Sequence, residues 1–193
     1  MSSLKDRIEL LESDLKATPP RISVYHDLPF AILRYNPDEE WELRREINWL
    51  GTRLENFGKD VHNISMSGFL WKAIDETEGM EVLVGLEREE GYRRAQDQVT
   101  TYLSDRDFKP LAETLKERLA SLDPNKSIAF LTRVAMMSPG LYQMSKLLDE
   151  MKGKTRVTTI LCYPGSLEGS TELRFMDLRD RDALGNYRVK IYG

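Results

Sequence analysis

The amino-acid sequence predicts an α/β fold, a mostly parallel sheet with flanking helices. Three observations lead there. Phe30-Ala31-Ile32-Leu33-Arg34-Tyr35, Ser127 to Val134 and Val157 to Tyr163 are apolar nearly throughout, as strands buried on both faces are. Stretches with helical apolar spacing separate them. The 193 residues, 40% of them hydrophobic, suffice for one sizeable core. Strands alternating with helices build βαβ units with right-handed crossovers. We therefore expect a three-layer arrangement, Rossmann-like or degenerate P-loop-like, in a single domain over 1–193. A helix at 3–17 would precede a sheet-containing core at 29–192.

The elements follow in order. Leu4, Ile8, Leu11 and Leu15 make a helical stripe, with Ser3 and Asp6 as a capping pair, and Thr18-Pro19-Pro20 ends it. After the strand Phe30 to Tyr35, Asn36-Pro37 reads as an N-cap with proline at the first helical position. Asp38-Glu39-Glu40 suit a helix N-terminus, and the helix should run through Trp41, Ile47, Leu50 and Leu54 to Gly58. Val61 to Met66 alternates, as a less buried or edge strand does. Ser67 should cap a helix bearing Phe69, Leu70, Ala73 and Ile74, and Met80 to Leu122 should hold two or three amphipathic helices. The strand from Ser127 follows, and then a helix opened by Ser138-Pro139-Gly140 that runs to about Met151. The strand Val157 to Tyr163 should close at a Pro164-Gly165 turn. Glu172 to Met176 and Tyr187 to Tyr192 read as a C-terminal antiparallel hairpin.

With 28 basic and 32 acidic side chains, the net charge of −4 argues against direct nucleic-acid binding, which favours a basic surplus. One cysteine, Cys162, excludes an internal disulfide and fits a reducing cytoplasm, and its apolar setting reads as a buried, inert thiol. Two histidines, His26 and His62, offer no metal-ligand spacing. Met1 to Asp6 lacks the pattern of a signal peptide, and no apolar run approaches the roughly 20 residues of a membrane helix. The expectation is a cytoplasmic protein without metal or cofactor.

No motif supplies catalysis. Gly153-Lys154-Thr155 resembles the end of a phosphate-binding loop, but Leu148 stands where the first glycine belongs, and a helix precedes where a strand should. Phe69 to Glu76 mimics an apolar run ending in a magnesium-binding acid, yet Lys72 interrupts it at helical spacing. Glu39-Glu40, Asp75-Glu76, Glu89-Glu90 and Asp149-Glu150 read as solvated helix surface, not as converged acid–base pairs. Ligands of open α/β sheets bind at the carboxyl ends of the strands. The loops there hold Asn36, Ser138 and Tyr163-Pro164-Gly165, which suit a protein-contact rim better than a catalytic pocket.

Leu161-Cys162-Tyr163-Pro164-Gly165, Leu173-Arg174-Phe175-Met176 and Asn186-Tyr187-Arg188 form an ordered set of short segments. That set resembles the BrxB family of bacteriophage exclusion (BREX) proteins. Tyr35 to Glu40 and Ser138-Pro139-Gly140-Leu141 add the family's two helix openings, and the resemblance covers Pro29 to Tyr192. Tyr187 stands single where the family often doubles it, and Phe175-Met176-Asp177 replaces a usual Leu-Phe-Gly. These departures leave a divergent member or a relative from another defence locus.

The resemblance implies a non-enzymatic accessory or adaptor protein that binds other defence-system proteins: a PglZ-like partner, a methyltransferase or an ATPase component. The interaction rim would comprise Asn36, Ser138, Tyr163, Pro164, Gly165, Asn186, Tyr187 and Arg188. The alternative is a small-molecule or nucleotide-binding domain lacking a functional P-loop.

Overall fold

A computed structural model describes residues 2–22, 28–137, 140–168, 172–178 and 187–193. Strand β1 (Phe30–Tyr35) lies inside the sheet, although it comes first in the chain. With β2 (Asp60–Ser65), β3 (Ser127–Thr132), β4 (Thr158–Glu168) and β6 (Lys190–Tyr192), it forms the order β2-β3-β4-β1-β6, every pair parallel. Strand β5 (Glu172–Phe175) pairs antiparallel with β4, off that path.

Side-chain alternation divides the core in two. Ala31, Leu33 and Tyr35 of β1, Ile128 and Phe130 of β3, and Ile160 and Cys162 of β4 face helices α1 (Leu4–Lys16) and α2 (Glu40–Asn56). Phe30, Ile32, Ala129, Leu131, Leu161 and Tyr163 face the opposite layer. That layer holds α3 (Met66–Asp75), α4 (Gly79–Glu90), α5 (Tyr92–Ser104), α6 (Leu111–Ala120) and α7 (Met144–Met151). The three layers agree with the fold class expected from sequence.

Local chemistry explains the elements. In α1 the Ser3 hydroxyl accepts from the Asp6 N–H, and the Asp6 carboxylate accepts from the Ser3 N–H, a reciprocal cap. Asn36-Pro37 ends β1, and Pro37–Glu39 form one 3₁₀ turn before α2. Strand β2 is the half-exposed edge anticipated by its alternation. Met80 to Leu122 resolves into three helices, divided at Gly91, whose φ of 90° suits glycine, and near Pro110.

Three local expectations are corrected, and a fourth fits loosely. Helix α3 begins at Met66 after Ser65, so Ser67 lies within its first turn, its hydroxyl 2.7 Å from that of Ser65. Helix α7 begins at Met144, not at Leu141; a 3₁₀ turn, Val134–Met137, comes earlier, and Ser138-Pro139 lie outside the described residues. Pro164-Gly165 do not close β4 but continue it. Pro164 is the last partner of Tyr35 in the parallel ladder, and Gly165 is the first partner of Phe175 in the antiparallel one. Proline ends donation to the first ladder and glycine admits the bend into the second. Finally, the antiparallel hairpin fits the C-terminal region only loosely: β5 pairs with β4, while β6 lies parallel to β1.

Candidate functional site

The carboxyl ends of β1 and β4 gather the most unusual side chains. Arg34 belongs to a strand in which all six residues are buried, and it is 8% exposed. Its Nη1 donates to Asn36 Oδ1 at 2.5 Å and to the Gly165 carbonyl at 3.3 Å. Its Nε, also buried, has no hydrogen-bond partner. Beneath β1, Arg7 of α1 donates to the Arg34 carbonyl at 2.7 Å and pairs with Glu39 at 3.6 Å. Burial first, and then the charge of Arg34, hold the Arg7 guanidinium below its ordinary value. The Tyr35 hydroxyl bonds to Glu40, which also pairs with Arg44 at 2.7 Å.

The register sets Tyr163 opposite Arg34. The rings of Tyr187 and Phe175 meet it edge-on, at centroid distances of 5.6 and 5.3 Å. The Tyr187 hydroxyl donates to that of Tyr163, and Tyr163 to the Leu173 carbonyl, both at 3.5 Å. Burial dominates in raising both phenols. Of the expected rim, Asn36, Tyr163, Pro164, Gly165 and Tyr187 therefore converge here. Tyr163, Pro164, Gly165 and Tyr187 are buried, Asn36 is half-buried and Arg188 is exposed. Ser138 and Asn186 lie outside the described residues.

The step from β1 to α2 is the first strand–loop–helix of the sheet, the place where a phosphate loop would present backbone N–H groups. Here it carries Asp38, Glu39 and Glu40, and Glu39 itself accepts the Asn36 N–H at 2.9 Å. Carboxylates occupy the position of a phosphate. Gly153-Lys154-Thr155 follows α7, and its lysine pairs with Glu113 at 2.6 Å. Cys162 is fully buried; burial, and then the Glu40 charge, push its thiol up. Among the described residues, no three His, Cys, Asp or Glu side chains come together as a metal site.

Among the described residues, two clefts lie in the layer of α3 to α7. One of about 590 Å³ runs between α6 and α7, and its charges pair across it: Lys154 with Glu113, and Lys109 with Glu76 at its edge. The other, of about 240 Å³, is apolar and opens between α3, α4 and α5. Leu70, Ile74, Leu83 and Ala95 form its floor, and Trp71, Met80, Val84 and Tyr92 stand exposed around it. Val82, 47% exposed, lies on the opposite face of α4, a helix in which only Leu83 is buried. Glu87 is the charged residue in the lining. A second exposed aromatic stripe on α2 sets Trp41 and Trp49 against Arg44 and Arg45, at 4.6 and 5.3 Å.

Sequence reasoning missed Arg34 and the α3–α5 groove. A charged residue inside an apolar strand was the signal for the first. The signal for the second was Met80-Glu81-Val82-Leu83-Val84, whose apolar residues cover more of a helix than one buried stripe needs. No described helix is long and apolar enough to cross a membrane.

A family model described as BREX protein BrxB matches residues 62–191, about two thirds of the chain. No curated protein and no solved structure matches it.

Proposed function

The chain belongs to the BrxB family of BREX proteins, which gives it a role in phage defence, and from that premise we propose that it is a non-enzymatic adaptor. In this reading it docks on another protein of the system through the α3–α5 groove. The observation that carries the reading is the cluster of Trp71, Met80, Val84 and Tyr92 on neighbouring helices. Apolar side chains grouped on a surface mark an interaction site, and tryptophan and tyrosine dominate binding hot spots. The groove lies wholly within the matched segment. A partner's amphipathic helix suits it, with apolar side chains meeting Leu70, Ile74 and Leu83, and a basic residue beside Glu87. A PglZ-like protein is the first candidate partner; a methyltransferase or an ATPase component of the system is the next.

The test is co-purification of the tagged chain with each system component, using Met80→Glu and Val84→Glu on exposed positions of the groove. Capture of one component by the parent chain, lost in both variants without change in thermal stability, supports the reading. Undiminished capture by both variants moves the docking surface elsewhere. Intact phage restriction after deletion of the gene from a functional system removes the adaptor role altogether.

A further inference from the structure

The geometry points to an oxyanion site at the carboxyl edge of the sheet, built on Arg34, that takes one phosphate or carboxylate group of a small molecule. This is separate from the α3–α5 groove and does not rest on it.

The charge balance around β1 carries the argument. Arg7 pairs with Glu39, and Arg44 pairs with Glu40. No carboxylate among the described residues pairs with Arg34, although the residue is 8% exposed. Taking a guanidinium out of water is costly unless a counter-charge and full hydrogen bonding replace the solvent. Its hydrogen-bond partners among the described residues are neutral oxygens, Asn36 Oδ1 and the Gly165 carbonyl, and both accept from Nη1.

That arrangement fixes the plane of the group and leaves its Nε donor buried without an acceptor. With Nη1 held, Nε remains unpartnered at the side where arginine meets an oxyanion through two parallel N–H bonds. The position is also where ligands of open parallel sheets bind, outside the carboxyl ends of central strands. Tyr163, opposite Arg34 in the register, walls the same face with its ring, its hydroxyl already bonded to Tyr187 and to the Leu173 carbonyl. The small exposure of Arg34 restricts the ligand to one whose charged group enters end-on. Asp38, Glu39 and Glu40 lie on the next turn, so a polyphosphate would meet repulsion there that a single oxyanion avoids.

The probes are inorganic phosphate and acetate, titrated into the full chain against sodium chloride at matched ionic strength, followed by thermal unfolding and calorimetry. One of the two should raise the melting temperature saturably beyond chloride, as a ligand of the folded state does. Whichever does so identifies the group. Arg34→Lys keeps the charge but loses the two-pronged edge, and should weaken binding by about tenfold or more. Arg34→Met should abolish it, and Arg34→Lys carries the test if the methionine variant does not fold. Absence of a saturable effect with both anions, or equal binding by the parent and Arg34→Lys, overturns the site.

Discussion

Asp14 in the first helix accepts a hydrogen bond from Lys190 in the last strand at 2.5 Å, although 176 positions separate them. The same Oδ2 accepts from the Tyr192 hydroxyl at 2.7 Å, and Arg21 pairs with Oδ1 at 3.4 Å. Asp14 is buried, so the carboxylate draws its partners from β6 instead of from water. A hydrogen bond from the Ser2 hydroxyl to the Gly193 carbonyl, at 3.2 Å, joins the same two ends of the chain.

Loss of that carboxylate should be felt. Burial pushes the Asp14 pKa up, but the hydrogen bonds of Lys190 and Tyr192 and the charges of Lys190 and Arg21 outweigh it, so the group sits below its ordinary 3.8. A folded-state value below the unfolded one gives stability that is present above about pH 4 and lost as pH falls through the folded value. Asp14→Asn should therefore cost about 2 kcal/mol at neutral pH, and less at pH 3. Urea unfolding of both proteins at the two pH values checks this; an equal gap at both would contradict it.

Gly165 and Gly58 separate two costs of adding a methyl group. Both have positive φ, 143° and 84°. Around Gly58 an added Cβ meets nothing within 4 Å, so Gly58→Ala should cost the backbone penalty alone, roughly 1–2 kcal/mol. At Gly165 the Cβ would lie 1.9 Å from the Arg174 carbonyl oxygen. Gly165→Ala must therefore part β4 from β5, and its loss of stability in denaturant titrations should clearly exceed that of Gly58→Ala.

How much was legible follows from where the signals are local. The strand at Phe30 to Tyr35, the proline that starts the next turn and the helix that follows are written in adjacent residues, and the structure repeats them. Pro164-Gly165 has the chemistry of a turn, and only the presence of β5 as a second partner makes it a bend within one strand. The pairing of β6 with β1 instead of β5 is likewise non-local. Arg34 was visible but unread, because its meaning depends on which residues surround it. The groove was hidden for a similar reason: Met80 and Val84 look like core until α5 and α3 prove to leave them uncovered.

Buried phenols predict a sharp alkaline limit. Burial leads in raising Tyr35, Tyr142, Tyr163, Tyr187 and Tyr192, with Glu40, Glu150 and Asp14 carboxylates adding to Tyr35, Tyr142 and Tyr192 respectively. Tyr102 is pushed up to about 12 by burial and then by its hydrogen bond to Glu78. Folded values above the unfolded 10 mean that this stability is whole below pH 10 and lost as pH rises beyond it. Phenolate absorbance should therefore rise mostly together with loss of helical circular dichroism above pH 10. Ionisation of these tyrosines well before unfolding would contradict their burial.

The matched segment should not fold by itself. It begins at residue 62, so α1, β1 and α2 lie outside it. Yet β1 is the strand that joins β4 to β6, with Ile32 opposite both Leu161 and Ile191. Without it, β6 has no ladder and the inner edge of β4 exposes unpaired backbone groups. Without α1 and α2, Ile128, Phe130, Ile160 and Cys162 lose the layer that covers them. A fragment of residues 62–193 should thus lack a cooperative thermal transition. Adding residues 1–61 as a separate chain should restore one, because Asp14, Lys190, Tyr192 and the β1 ladder can re-form between the two pieces. Circular dichroism of the fragment and of the mixture reads both outcomes, and a cooperative transition in the isolated fragment would show that the sheet closes without its middle strand.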